Sequence, residues 1–126
     1  MITEVFSGTE RRQALRIKFD GQGEIKGKSM DGLVHAITCH FLNLSEGGAC
    51  LKTNVPVTEN SELNLNFKLP GLLNMHLSST ATVVWCILQP EEQCYLVGIA
   101  FRSFKATELT ALRSFIYIQN KRGNVL

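Results

Sequence analysis

Residues 61–69 read SELNLNFKL, a stretch in which Leu63, Leu65, Phe67 and Leu69 alternate with Glu62, Asn64, Asn66 and Lys68. A period of two puts the apolar set on one face and the polar set on the other, as a strand with one face in a core and one in water requires. Working outward, residues 34–44, 49–53, 77–88 and 95–101 are also rich in β-branched, aromatic and aliphatic side chains. Breaks fall at Gly47-Gly48, 56–60, Pro70-Gly71 and 89–93, the last reading as a hairpin turn. Many short strands in succession predict a mainly β fold, an antiparallel barrel or sandwich.

Near the end of the chain the period changes. Leu109, Leu112 and Ile116 recur at helical spacing, which predicts a helix over 107–119 with Thr107 as its cap, Glu108 in its first turn and Lys121, Arg122 and Gly123 at its end. One amphipathic helix after a β-rich body would lie across an open barrel end or pack on a neighbouring subunit. Residues 1–10, and 20–32 with glycines at 21, 23, 27 and 32, read as mobile segments.

The chain has 126 residues, 44% of them hydrophobic and 19% charged, enough apolar content for one domain with its own core and too much for disorder. Its longest apolar run, 81–88, is far short of the roughly 20 residues of a membrane helix, and residues 1–10 carry acids but no basic n-region. These features predict a cytoplasmic protein without membrane insertion. Cys39, Cys50, Cys86 and Cys94 form no C-x-x-C pair and lie in or beside apolar segments, so they read as reduced core thiols. Residues 1–28 and 102–126 are mildly basic around an acidic middle, and the net charge of +2 is too small for a general DNA or RNA binder.

Two clusters can carry chemistry. Arg11, Arg12 and Arg16 precede the first strand-like run, and the spacing of Arg12 and Arg16 points both the same way in a helical turn or a strand. Guanidinium groups hold phosphate bidentately, fork onto guanine O6 and N7, and stack on a base. A solvated basic arm is the plainer reading of this cluster alone. The second cluster is Asn43-Leu44-Ser45-Glu46-Gly47-Gly48. Asn43 and Ser45 share a strand face and can bond a purine edge or phosphate, while Gly47 and Gly48 permit positive φ and close approach of a ligand. The plainer reading is a turn in which Asn and Ser bond their own main chain.

Taken together, R-x-x-x-R at 12–16, N-x-S-x-x-G at 43–48, Trp85 and the late Gly98-Ile99-Ala100-Phe101 resemble a PilZ domain, the cyclic-di-GMP receptor module, from residue 10 to about 118. The resemblance implies one domain over 1–126: a flexible N-terminal arm over 1–16, a six-stranded antiparallel split β-barrel over 17–105 and a C-terminal α-helix over 107–119. It implies that Arg12 and Arg16 grip guanine and phosphate, that Asn43 and Ser45 bond a guanine edge and phosphate, and that Gly48 keeps the surface open, with Gly47 beside it among the ligand-binding residues. Arg11, just before the arm motif, resembles the type that binds a stacked pair of ligands, which implies two cyclic-di-GMP per chain. The expected role is a nonenzymatic receptor, monomeric or homodimeric, that orders its arginine arm on ligand binding and signals to a protein effector in motility, biofilm or exopolysaccharide control. Residues 17–42 depart from the family in their glycine content and suggest a longer first hairpin.

Other classes fit less well. His35, Cys39, His40, Cys50 and His76 match no zinc-ligand spacing, so no metal is expected. The chain has no G-x-S-x-G elbow or recognisable Cys-His constellation, so no catalysis is expected either. A single-strand nucleic-acid barrel would need exposed aromatics in a basic groove. The alternative kept is a protein-interaction adaptor of the same fold that binds no nucleotide.

Overall fold

The computed structural model describes residues 15–28, 34–71 and 74–126. The chain runs through β1 (Arg16–Lys18), β2 (Gln22–Lys28), β3 (Val34–Ser45), β4 (Gly48–Thr53), β5 (Glu62–Leu69), β6 (Met75–Gln89), β7 (Cys94–Ser103) and α1 (Ala106–Lys121). Neighbours follow the order β1-β3-β2-β5-β6-β7-β4, and a further β3–β4 pairing joins the ends. Strands β2 to β7 therefore form a closed six-stranded antiparallel barrel, and β1 is an extra strand on β3. Closure leaves those six without the unpaired edges that invite association.

The alternation in 61–69 has its structural counterpart in β5, where Leu63, Leu65, Phe67 and Leu69 are buried while Glu62, Asn64 and Lys68 are exposed. Phenylalanines link the barrel interior to the helix: Phe67 packs on Phe41 with ring centroids 4.8 Å apart, Phe41 on Phe19 at 5.2 Å, and Phe19 on Phe115 of α1 at 5.5 Å. Ala111, Leu112, Phe115 and Ile116 form the buried face of α1, so the helix covers the barrel rather than standing free. Leu109, placed on that face by spacing alone, is half-buried.

Three expectations need correction. Residues 20–32 do not read through as a mobile segment, because Gln22–Lys28 is a barrel strand paired with both β3 and β5. Its glycines serve close packing: a Cβ on Gly23 would stand 2.8 Å from the Asn66 carbonyl oxygen, and one on Gly27 would stand 2.9 Å from Leu63 Cβ. The helix starts one residue before Thr107. Its N-cap is Lys105, which has extended backbone and no side-chain cap bond, and whose carbonyl accepts the Leu109 N–H at 2.9 Å. Finally, Arg16 is not the end of a free arm but the first residue of β1, paired in register with Ser45.

Candidate ligand-binding face

Two β-bulges decide which side chains look outward over one stretch of the barrel. In the β3–β4 ladder the register slips between Phe41 and Asn43. Strict alternation would point both the same way, yet Phe41 is fully buried while Asn43 is half-exposed, because Leu42 is the extra residue that re-aims the strand. In the β6–β7 ladder the slip lies between Val83 and Trp85. Val83 points into the core, whereas Trp85 lies over the outside of Gly98, where a Cβ would meet the indole ring at 2.2 Å. This close approach explains the glycine that opens Gly98-Ile99-Ala100-Phe101.

Between the bulges, β1 and the end of β3 bring the two sequence clusters together. Ile17 and Leu44 are paired and wholly buried, which fixes the neighbouring side chains of β1 and β3 on the opposite, outer face. There Arg16 Nη1 donates to Asn43 Oδ1 at 2.5 Å, joining residues 27 apart in the chain. Lys18 stands opposite Asn43 in the register, and Cys50 of β4 pairs with Asn43 from the other side. Cys50 in turn pairs with Gly98. Burial pushes the Cys50 thiol up, and the nearby Arg16 charge opposes that by favouring thiolate.

The turn after β3 is closed by its own atoms and braced from β7, whose Phe101 N–H donates to the Gly47 carbonyl at 2.9 Å. Ser45 is 3% exposed, and its hydroxyl both donates to the Gly48 carbonyl and accepts the Gly48 N–H, each at 3.2 Å. The Ser45 hydroxyl thus bonds its own main chain. Neither Gly47 nor Gly48 has positive φ, and the two glycines do different things. A Cβ on Gly47 would meet nothing within 4 Å, so the backbone there is open to an approaching molecule. One on Gly48 would stand 2.2 Å from the Ile99 carbonyl oxygen, so this glycine lets β4 and β7 close rather than keeping a surface clear. Glu46, between them and Ser45, forms a 2.7 Å ion pair with Arg113 of α1.

The structure thus brings together Arg16, Asn43, Ser45, Gly47 and Gly48. Arg11 and Arg12 lie outside the described residues. Sequence reasoning missed Lys18 and took Cys50 for a core thiol, although alternation about the buried Ile17 and Leu51 places both outward. Cys39 and Cys94 are buried, and Cys86 is half-buried. Among the described residues, no group of three or more His, Cys, Asp or Glu is placed to hold a metal ion, and no helix is long and apolar enough to cross a membrane.

A family model described as PilZ domain matches residues 10–117 of the chain. Among solved structures, MotI/DgrA of Bacillus subtilis, an inhibitor of motility, superimposes with a TM-score of 0.76 at 17% identity, over 90% of this chain and 53% of that one. The PilZ domain of YcgR from Escherichia coli, solved with c-di-GMP, gives 0.63 at 13% identity over 90% of this chain and 95% of that one. MrkH of K. pneumonia in its c-di-GMP complex gives 0.62 at 14% identity, over 91% of this chain and 56% of that one. At these identities the likeness establishes the fold, and the chain spans about half the length of MotI and MrkH. No curated protein matches the chain by sequence.

Proposed function

From the premise that the chain belongs to the PilZ domain family, we propose that it is a nonenzymatic receptor for cyclic-di-GMP that passes binding on to a protein effector in the control of motility or biofilm formation. The observation that carries this reading is the meeting of Arg16 and Asn43, one from each sequence cluster, on the outer face of the barrel. Support also comes from YcgR and MrkH, two proteins of the same fold solved with this nucleotide.

A cyclic dinucleotide offers two phosphate charges and two guanine edges and faces. The chemistry that recognises it is guanidinium forks, amide donors and acceptors, and accessible backbone, rather than a deep apolar pocket. In this reading Arg16 turns from Asn43 to the ligand, Asn43 bonds a guanine edge, and the open backbone at Gly47 receives the phosphate side. Ser45 holds the turn in shape from beneath, and Gly48 holds the turn against β7. Binding brings the segment that carries Arg11 and Arg12 onto the same face, and the covered surface is what the effector reads. The resemblance of Arg11 to the type that binds a stacked pair supports a stoichiometry of two ligands per chain, so Arg11→Leu should move it toward one.

Calorimetric titration of cyclic-di-GMP into the wild-type chain, Arg12→Ala and Arg16→Ala tests this. Each variant should bind about ten- to hundredfold more weakly, the loss of a charge-assisted contact worth roughly 1.5–3 kcal/mol. Affinity should also fall as salt is added. Undiminished binding by both variants would overturn the assignment, and a wild-type chain without heat would favour an adaptor that uses no nucleotide.

A further inference from the structure

Strand β1 has two edges, and the chain fills both. On the edge away from β3, the Lys18 N–H donates to the Asn124 carbonyl at 2.9 Å and the Leu126 N–H donates to the Arg16 carbonyl at 3.3 Å, flanking an antiparallel bridge between Ile17 and Val125. The chain returns to β1 through a sharp reversal at the end of α1. The Gly123 N–H donates to the Asn120 carbonyl and the Asn124 N–H to the Gln119 carbonyl, each at 3.0 Å, and Gly123 has φ +84°. This is the left-handed helix ending that favours glycine. The Asn124 side-chain amide tightens it further, donating to Gln119 Oε1 at 2.6 Å.

The same helix reaches the other half of the face. Arg113 Nη2 donates to Glu46 Oε2 at 2.7 Å, inside the turn that Ser45 closes. Between these two attachments, Phe115 packs on Phe19, one residue beyond β1. The helix and the residues that follow it therefore hold the arginine strand by its backbone, the motif turn by a side chain, and the residue after β1 by an aromatic contact.

We infer that α1 and residues 124–126 are a positioning element for the ligand face, holding β1 so that Arg16 is presented at fixed distance from Asn43. The inference rests on the receptor reading for its effect on affinity. A three-residue strand paired on one edge has too few bonds to stay in place, and an arginine whose backbone is loose must lose that freedom when it binds. Residues 124–126 remove the freedom in advance. Coupling between two sites is reciprocal, so ligand on Arg16 stabilises the segment after the helix by the same factor.

The tests use Gly123→Val, a β-branched residue at φ +84°, and Leu126→Pro, which deletes the N–H given to Arg16. Gly123→Asn is the conservative partner, because asparagine tolerates the left-handed region. Without nucleotide, amide hydrogen exchange at Lys18 should quicken about tenfold in the first two variants and stay near wild type in Gly123→Asn, while Leu65 in β5 reports an intact barrel. Affinity for cyclic-di-GMP should weaken about five- to tenfold in the same two variants. Unchanged Lys18 exchange overturns the positioning role, as does faster exchange with undiminished affinity. A wild-type chain that gives no heat sinks the receptor reading instead, and Lys18 exchange still decides whether the helix holds β1. Where a variant also loosens Leu65, the exposed change Arg113→Gln serves in its place. It should weaken binding about threefold, and no change would overturn the link through Glu46.

Discussion

The turn at residues 45–48 is closed by its own atoms and then braced by β7 and α1, whereas the arginine strand is held wholly by chain from elsewhere. Ser45 needs only the Gly48 backbone three residues on, and Gly48 sits directly against the Ile99 carbonyl. Arg16 depends on β3, where its register partner Ser45 lies 29 residues away and its side-chain acceptor Asn43 27, and on residue 126 at its other edge. The first patch is preorganised by local hydrogen bonds and close packing. The second exists only once the barrel and the helix have both formed, so its position responds to whatever shifts the helix.

The sharpest way to break that contrast is Gly48→Ala. A methyl group 2.2 Å from a backbone oxygen cannot be accommodated by side-chain movement, so thermal or urea unfolding should show a loss of about 3 kcal/mol or more. A loss below about 1 kcal/mol would mean that β4 and β7 part easily and that the turn is not rigid. Arg16→Ala is expected to behave in the opposite way. Its guanidinium is exposed, so stability should stay within about 0.5 kcal/mol of wild type while nucleotide affinity drops by the factor given above.

The thiols on the two faces of the barrel sharpen the comparison through pH. Burial pushes the Cys39 thiol up to about 11, with backbone hydrogen bonds from Gly23 and its own amide opposing the shift. A group whose folded-state value is raised contributes stability that is complete below its ordinary value near 9 and is lost as pH rises through about 11. Denaturation followed from pH 8 to 11 should therefore show a decline on the order of 2 kcal/mol that Cys39→Ala lacks. Equal slopes in the two proteins would place that thiol in contact with water. The smallest expected effect is Ser45→Ala, which removes a buried hydroxyl bonded twice to Gly48 and should cost about 1 kcal/mol in unfolding experiments. Its affinity for cyclic-di-GMP should fall less than that of Arg16→Ala; an equal fall would assign the Ser45 hydroxyl to the ligand itself.

Strands β3 to β7 and the helix were legible because each carries enough side chains to show a period. β1 and β2 were not. Three residues are too few to display alternation, and in β2 the pattern is broken by Gly23 and Gly27, whose missing side chains answer to Asn66 and Leu63 across the ladder. A glycine chosen by a neighbouring strand looks, in one dimension, the same as a glycine chosen for a loop. The two sequence clusters were likewise visible as motifs, but the division of labour inside the second was not: Gly47 is open, Gly48 is a packing contact, and the buried Ser45 hydroxyl bonds the Gly48 main chain.

The order of residues by itself determined a mainly β fold, barrel or sandwich, followed by a helix, because hydrophobic period and turn chemistry are local properties; the barrel was implied by the family resemblance and its closure came from the β3–β4 pairing. It also determined that arginines and an Asn-x-Ser turn are present together. Only the tertiary structure decided that Arg16 and Asn43 share a face, that a bulge at Leu42 points the asparagine outward, and that the helix holds both patches at once. Those outcomes depend on the register between strands and on backbone atoms distant in the chain meeting at hydrogen-bond distance, and no local stretch of sequence encodes either.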